Sequence, residues 1–338
     1  MQKPKLRPIH FWVRRILRLD LRFPCFVLSE NPLILISQDR QGLHLFLPYL
    51  KGHKKVWIFV RTSWTFHSDE QIKAAKKAAD SAAKTGNVTI CYLANSEDEY
   101  KVCERHGIYS IICSSNCFVD ENIFKINALE KKRFNAIYDA RLSHFKRHEL
   151  AASVENIALI TYRMAPPESQ DYIENTRKLL KNATWLNDPF SPGYRFLSAT
   201  EVSEYLNQAK VGLILSEKEG QNYASIQYLL CGLPVVSTMS YGGRDVFFDP
   251  DYVAIVDDTP EAVAQGVKRM CNLEISSEEI RQRTLLKIKD HRNYLIRACQ
   301  EIYNETGCDE DFSEQFQSVF THKFHGNLTI QEFRKLVN

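Results

Sequence analysis

Short apolar runs alternate with helical segments along most of this chain, and that alternation limits what it can fold into. Residues 33–37 (LILIS), 55–60 (KVWIFV), 88–93 (VTICYL) and 108–113 read as strands. Between them, residues 69–84 read as a helix with Ser68 as its N-cap, and 97–106 as a helix ended by Gly107. The rhythm then repeats. Strands are expected at 134–138, 157–162, 184–186, 211–215, 235–237 and 253–256. Helices are expected at 146–154, 172–180, 200–208 (Thr cap), 223–230, 259–269 and, longest, 276–303. Strands without a polar face must be covered on both sides, so parallel sheets flanked by helices follow. The two α/β blocks meet near 128–133. Residues 307–338 read as a polar, partly helical tail.

A chain of 338 residues is long enough for about two domains. No run approaches the ~18 apolar residues of a spanning helix. Nine cysteines, no C-x-x-C pair and mostly apolar surroundings point to buried reduced thiols, and no metal is expected. The formal net charge of +3 is too small to imply nucleic acid as a partner. Charge is instead concentrated at the start, where Lys3, Lys5, Arg7, Arg14, Arg15, Arg18 and Arg22 face a single acid, Asp20. Ile9, Trp12, Val13, Ile16 and Leu17 fall at helical spacing there. Residues 9–22 are therefore expected either to lie on an anionic membrane surface or to pack on the protein with solvated arginines. No apolar leader core precedes them, so a cytoplasmic location is expected, with peripheral attachment to the inner membrane face as its variant.

The chemistry concentrates in SEKEGQNYASIQYLLCGLPVVST, residues 216–238. A strand ends at Ser216, a loop carries Glu219, Gly220, Gln221 and Asn222, and a helix begins at about Tyr223. Loops at the carboxyl ends of parallel strands form the ligand crevice of open α/β sheets. Helix-start N–H groups there can receive phosphate oxygens. Glu219 suits hydroxyls on the group attached to that phosphate, and Gln227 a ribose hydroxyl.

This stretch resembles the donor-binding signature of GT-B glycosyltransferases, especially the retaining family-4 (group 1) type. Glu219-Gly220, Cys231-Gly232 and Pro234-Val235-Val236 fall in register with it. Gly242-Gly243-Arg244-Asp245-Val246 is similar to the family's Gly-Gly-x-x-Glu-Val loop. Arg141 and Lys146 share the separation of its Arg…Lys pair, and 115–124 is similar to the close of its N-terminal domain. Gln227 stands where the family has a second Glu, and Asn222 where it has Gly.

The resemblance implies two Rossmann-like domains facing a central cleft. The expected division is a basic segment 1–28, an acceptor-side domain 29–130, a nucleotide-sugar domain 131–275, and a long helix with tail 276–338. It implies a nucleotide sugar as substrate, no cofactor, and a saccharide or lipid-linked saccharide acceptor in surface glycan synthesis. Catalytic roles fall to Glu219, Arg141 and Lys146. Donor contacts fall to Gly220, Gln221, Asn222, Tyr223, Gln227, Gly242, Gly243, Arg244 and, from the first block, Gly42. Plain alternatives stay open: a solvated helix start for Arg141 and Lys146, a simple turn for Gly242-Gly243, a surface place for Arg244. A non-catalytic nucleotide-sugar-binding subunit is the rival function, and a nucleotide-sugar epimerase the third.

Overall fold

The computed structural model describes residues 22–37, 54–63, 68–162 and 169–337, with Leu43, Leu47, Leu50 and Phe66 between them. Gly42 and residues 1–21, which carry most of the expected amphipathic helix, lie outside the described residues.

The described chain opens with strands β1 (Arg22–Phe23), β2 (Cys25–Glu30), β3 (Leu33–Ser37) and β4 (Val56–Arg61). Helix α1 (Asp69–Ala83), β5 (Val88–Ala94), α2 (Glu97–Arg105) and β6 (Ser110–Ile112) complete a five-stranded sheet of order β2-β3-β4-β5-β6. It is parallel except for β2, which runs antiparallel to β3. The expected basic segment 1–28 is therefore shorter than its sequence suggested. Residues from Arg22 onward are strand, because Phe23, Cys25 and Leu28 are buried in the first domain.

The second domain holds β7 (Phe134–Asp139), β8 (Ile157–Ile160), α3 (Gln170–Leu179), β9 (Thr184–Trp185), α4 (Ala199–Asn207) and β10 (Ala209–Ile214). It continues with α5 (Tyr223–Leu230), β11 (Val235–Thr238), β12 (Val253–Val256) and α6 (Pro260–Met270). Its sheet is parallel throughout, in the order β12-β11-β10-β7-β8-β9. Two α/β sheets, one parallel throughout and one parallel but for its edge strand β2, thus stand as the alternation requires. Two local expectations fail. The helix expected over 146–154 is a pair of 3-10 turns, His144–Lys146 and His148–Ala151, because Arg147 between them takes a left-handed φ of 51°. Helix α4 is capped by Ser198 rather than a Thr, through a reciprocal pair with Glu201 that satisfies two orphan N–H groups.

Helix α7 (Ser277–Thr306) straps the domains together. Arg292 on it donates to the Cys117 and Val119 carbonyls, pairs with Glu121 at 2.7 Å, and lies over Phe320. Burial alone would raise the Glu121 carboxyl, but the Arg292 hydrogen bonds and charge hold it below its ordinary value. Its stabilising contribution is present above the ordinary carboxylate range and lost as pH falls through the lowered value. Arg292→Ala is expected to cost about 3 kcal/mol, the loss of several charge-assisted bonds, read from urea unfolding at pH 7. An unchanged midpoint would refute the strap's role.

The tail is not a loose appendage. Helix α8 (Phe312–Val319), a 3-10 turn at His322–Phe324, β13 (Leu328–Thr329) and α9 (Ile330–Val337) fold back over the first domain. Strand β13 pairs antiparallel with β1, and Phe333 packs on Phe23 in the first domain's core. Phe316, Phe320 and Phe324 join Phe26 and Phe118 in one aromatic cluster.

Candidate active site

Three loops at the carboxyl ends of the second sheet converge: residues 140–146 after β7, 215–222 after β10 and 239–245 after β11. Backbone bonds join them. Glu217 N–H donates to Phe145, Glu219 N–H to Tyr241, and Tyr241 N–H to Glu217. Arg147 ties the same loops from below, donating to the Leu215 carbonyl (2.6 Å) and to Thr238 Oγ1 (2.5 Å). The preceding residue, Lys146, lines the cleft.

Lys146 Nζ lies 2.6 Å from Glu219 Oε1, and both residues are only 8% exposed. Asn222 Nδ2 donates to the same oxygen at 2.7 Å. An ion pair this buried orients both partners. Asn222 is also the N-cap of α5, its Oδ1 accepting from Ser225 N–H. Its own N–H is taken by Asn116 Oδ1 from the end of the first domain. The anion-receiving N–H groups of α5 therefore begin at Tyr223.

A cavity of about 460 Å³ opens beside this pair. Its walls include Glu219, Gln221, Asn222, Tyr223 and Gln227. Several of its residues were not singled out from sequence, among them Asp139, Asn187, Phe196 and Lys323. Asp139 ends β7, and a charged residue terminating the FNAIYD strand was the available signal. Burial pushes its carboxyl up to about 6, against the pull of Lys323 and Lys146. Asn187 bonds both backbone groups of Thr161, fixing the rim between β8 and β9. Phe196 is 64% exposed and stands near Tyr162 and Tyr194. A smaller hollow of about 270 Å³ adjoins, lined by Arg141, Phe145, Lys146, Tyr162, Glu219 and Gln221, with Ser63 of the first domain facing them. Arg141 stacks on Phe145, and no carboxylate pairs with it among the described residues.

The structure thus brings Arg141, Lys146, Glu219, Gln221, Asn222, Tyr223 and Gln227 together. It puts others behind them. Arg244 is fully buried, donating to the Ser216 and Thr238 carbonyls at 2.6 and 2.5 Å and pairing with Asp245. Its guanidinium braces two loops from beneath. Gly242, with φ 108°, supplies a backbone turn that side-chain-bearing residues rarely adopt. Gly220 and Gly243 are buried against the first domain: a Cβ at Gly243 would lie 2.3 Å from Asn95 Cβ and 2.6 Å from the Gly220 carbonyl. His148 is buried beside Tyr172, and burial lowers it to about 3. No group of three or more metal-ligating side chains occurs, and no helix is long and apolar enough to cross a membrane, among the described residues.

Residues 165–272 match the family described as "Glycosyl transferases group 1". No curated protein sequence matches the chain. Among solved structures, sucrose-phosphate synthase from Thermosynechococcus elongatus is similar at TM-score 0.60 and 13% identity, over 80% of this chain and 74% of that one. HepE of Anabaena, solved with UDP, is similar at TM-score 0.56 and 12% identity, over 80% and 84%. A glycosyltransferase from Rickettsia africae is similar at TM-score 0.53 and 11% identity, over 92% and 85%. Residues 165–272 therefore match a group 1 glycosyl transferase domain, set in a two-domain GT-B scaffold, and the enzyme class that this match supports is glycosyltransferase.

Proposed function

We propose that the protein moves a sugar from a nucleotide diphosphate donor to a saccharide or lipid-linked saccharide acceptor, with retention at the anomeric carbon and without a metal. The observation that carries this reading is the buried Lys146–Glu219–Asn222 cluster at the mouth of α5, beside a cavity of nucleotide-sized volume. Breaking the bond between the sugar C1 and the phosphate oxygen builds negative charge on the leaving diphosphate. Arg141, Lys146 and the N-terminus of α5 offer fixed positive charge to it. Glu219, held by Lys146, suits the sugar hydroxyls and restrains the donor pose. Phe196 and Tyr162 offer ring faces to a base, and Gln227 an amide to a ribose. The resemblance to retaining family-4 enzymes supports front-face attack, the leaving phosphate accepting the acceptor's proton. HepE was solved with UDP, which supports a uridine donor here. A role in surface glycan synthesis, at an anionic membrane surface met by residues 9–22, fits the same reading.

The test is to incubate the purified protein with UDP-, GDP-, ADP- and dTDP-sugars. One donor is expected to raise the melting temperature and to be slowly hydrolysed, with the α-anomer released first from an α-linked donor by NMR. Stabilisation with neither hydrolysis nor transfer would favour the non-catalytic binding subunit, which the Gln227 substitution motivates. β-anomer release would end the retaining assignment.

A further inference from the structure

The donor cavity is not built by the second domain alone. His322 and Lys323, from the folded-back C-terminal segment, form part of its wall together with Asp139 and Gln227. Lys323 Nζ stands 4.3 Å from the centroid of the Tyr223 ring, the first residue of α5. That puts an ammonium over the side chain of the first residue of the helix, in a cavity wall that also contains Lys146. Among the described residues, no carboxylate lies within 4.0 Å of it and no acceptor takes its protons. Asp139 acts on it only from further away. A half-buried cation with no carboxylate beside it, in one cavity wall with a second lysine, suits an anionic ligand.

Its placement is determined rather than incidental. Lys323 and Phe324 take left-handed φ values of 59° and 42°. Arg61 donates to the Lys323 carbonyl at 2.5 Å and reaches the Tyr223 hydroxyl at 3.5 Å. Phe324 is sunk in the aromatic cluster with Phe118 and Phe26. A backbone this constrained is sustained by its surroundings, and here it aims one lysine into one cavity.

We propose that Lys323 is a binding residue for the diphosphate of the donor, so that the donor site is shared between the second domain and the C-terminal segment. This rests on the donor reading above and adds a residue and an element to it. The groups facing Lys323 are Asp139, Arg61, Tyr223, His322 and His325. Burial lowers Lys323 to about 8 and His322 to about 4, lowers His325, and raises Asp139 to about 6 and Tyr223 above its usual value. Between pH 7 and 9 the lysine is therefore the group in this set that changes charge.

The experiment measures, by calorimetry, the affinity of wild type, Lys323→Gln and Lys323→Arg for UDP, GDP, ADP and dTDP and for the matching nucleosides. For the tightest diphosphate, Lys323→Gln is expected to bind about tenfold more weakly, Lys323→Arg within about threefold of wild type, and the nucleoside equally in all three. Wild-type diphosphate affinity falls as pH rises through about 8, and the Gln variant is flat there. Equal diphosphate binding by wild type and Lys323→Gln would overturn the proposal and leave the donor reading standing. Loss of nucleoside and diphosphate binding by the same factor would overturn it too, marking a structural residue. If wild type binds none of the diphosphates, the donor reading and this inference fall together.

Discussion

Lys146→Ala is expected to lower turnover about 10²- to 10³-fold, the usual cost of removing one fixed donor from a developing anion. The residue has two duties, and they separate experimentally. Its ammonium holds Glu219 at 2.6 Å in a site where both are 8% exposed. Removing it leaves a buried carboxylate with only the Asn222 amide for company. Breaking such a pair from one side costs about 3 kcal/mol of stability. The second variant, Lys146→Ala with Glu219→Gln, removes the stranded charge and is expected to recover most of that stability. It is not expected to recover turnover, because the cation facing the leaving phosphate is still missing. Urea unfolding and steady-state kinetics on the single and double variants check both halves. Turnover within tenfold of wild type in Lys146→Ala would remove this lysine from the chemistry.

What the sequence disclosed about this site follows from what is local. Strand β10, the 215–222 loop and α5 are consecutive, so their periodicity and the Glu219–Asn222 spacing carry the geometry directly. The cap at Asn222 and the ion pair are consequences of a turn whose residues are all within reach of one another. Two kinds of information stayed hidden. The first is backbone conformation set by tertiary demand. Nothing in SHFKRHEL shows that Arg147 is left-handed, yet that residue breaks the expected 146–154 helix and ties two loops together. Arg244 is similar: a guanidinium after two glycines reads as ligand-facing, and only the packing shows it donating to two carbonyls beneath the loops. The second is closure over long sequence separation. Strand β1 pairs with β13 some 300 residues away, and hydrophobic periodicity carries no such pairing. Lys323 accordingly read as part of a polar tail.

Gly243 shows why closure matters to the chemistry, and Gly243→Ala is the second large effect expected. The glycine packs against the first domain so closely that an added Cβ would lie 2.3 Å from Asn95 Cβ and 2.6 Å from the Gly220 carbonyl. Neither is the loose end of a flexible side chain. Asn95 is pinned by Thr62, by Glu99 and by the N–H of Ser115, so it cannot swing aside cheaply. Relief must come from a small shift of the 239–245 loop away from the Gly220 carbonyl and from parting the domains at Asn95, together on the order of an ångström. Lys146, Glu219 and Gln227 keep their contacts with one another and with Asn222 inside the second domain. The acceptor side, represented at the cleft by Ser63, moves away from them. A misplacement of that size between reacting groups costs about 10²-fold in rate. Gly243→Ala is therefore expected to cut transfer about 10²-fold while the affinity for nucleoside diphosphate stays within a few-fold of wild type. Slow donor hydrolysis, which uses water rather than an aligned acceptor, is expected to suffer less than transfer. Equal losses of diphosphate binding and transfer would show instead that the 239–245 loop itself had collapsed, and that domain closure was not what the glycine protects.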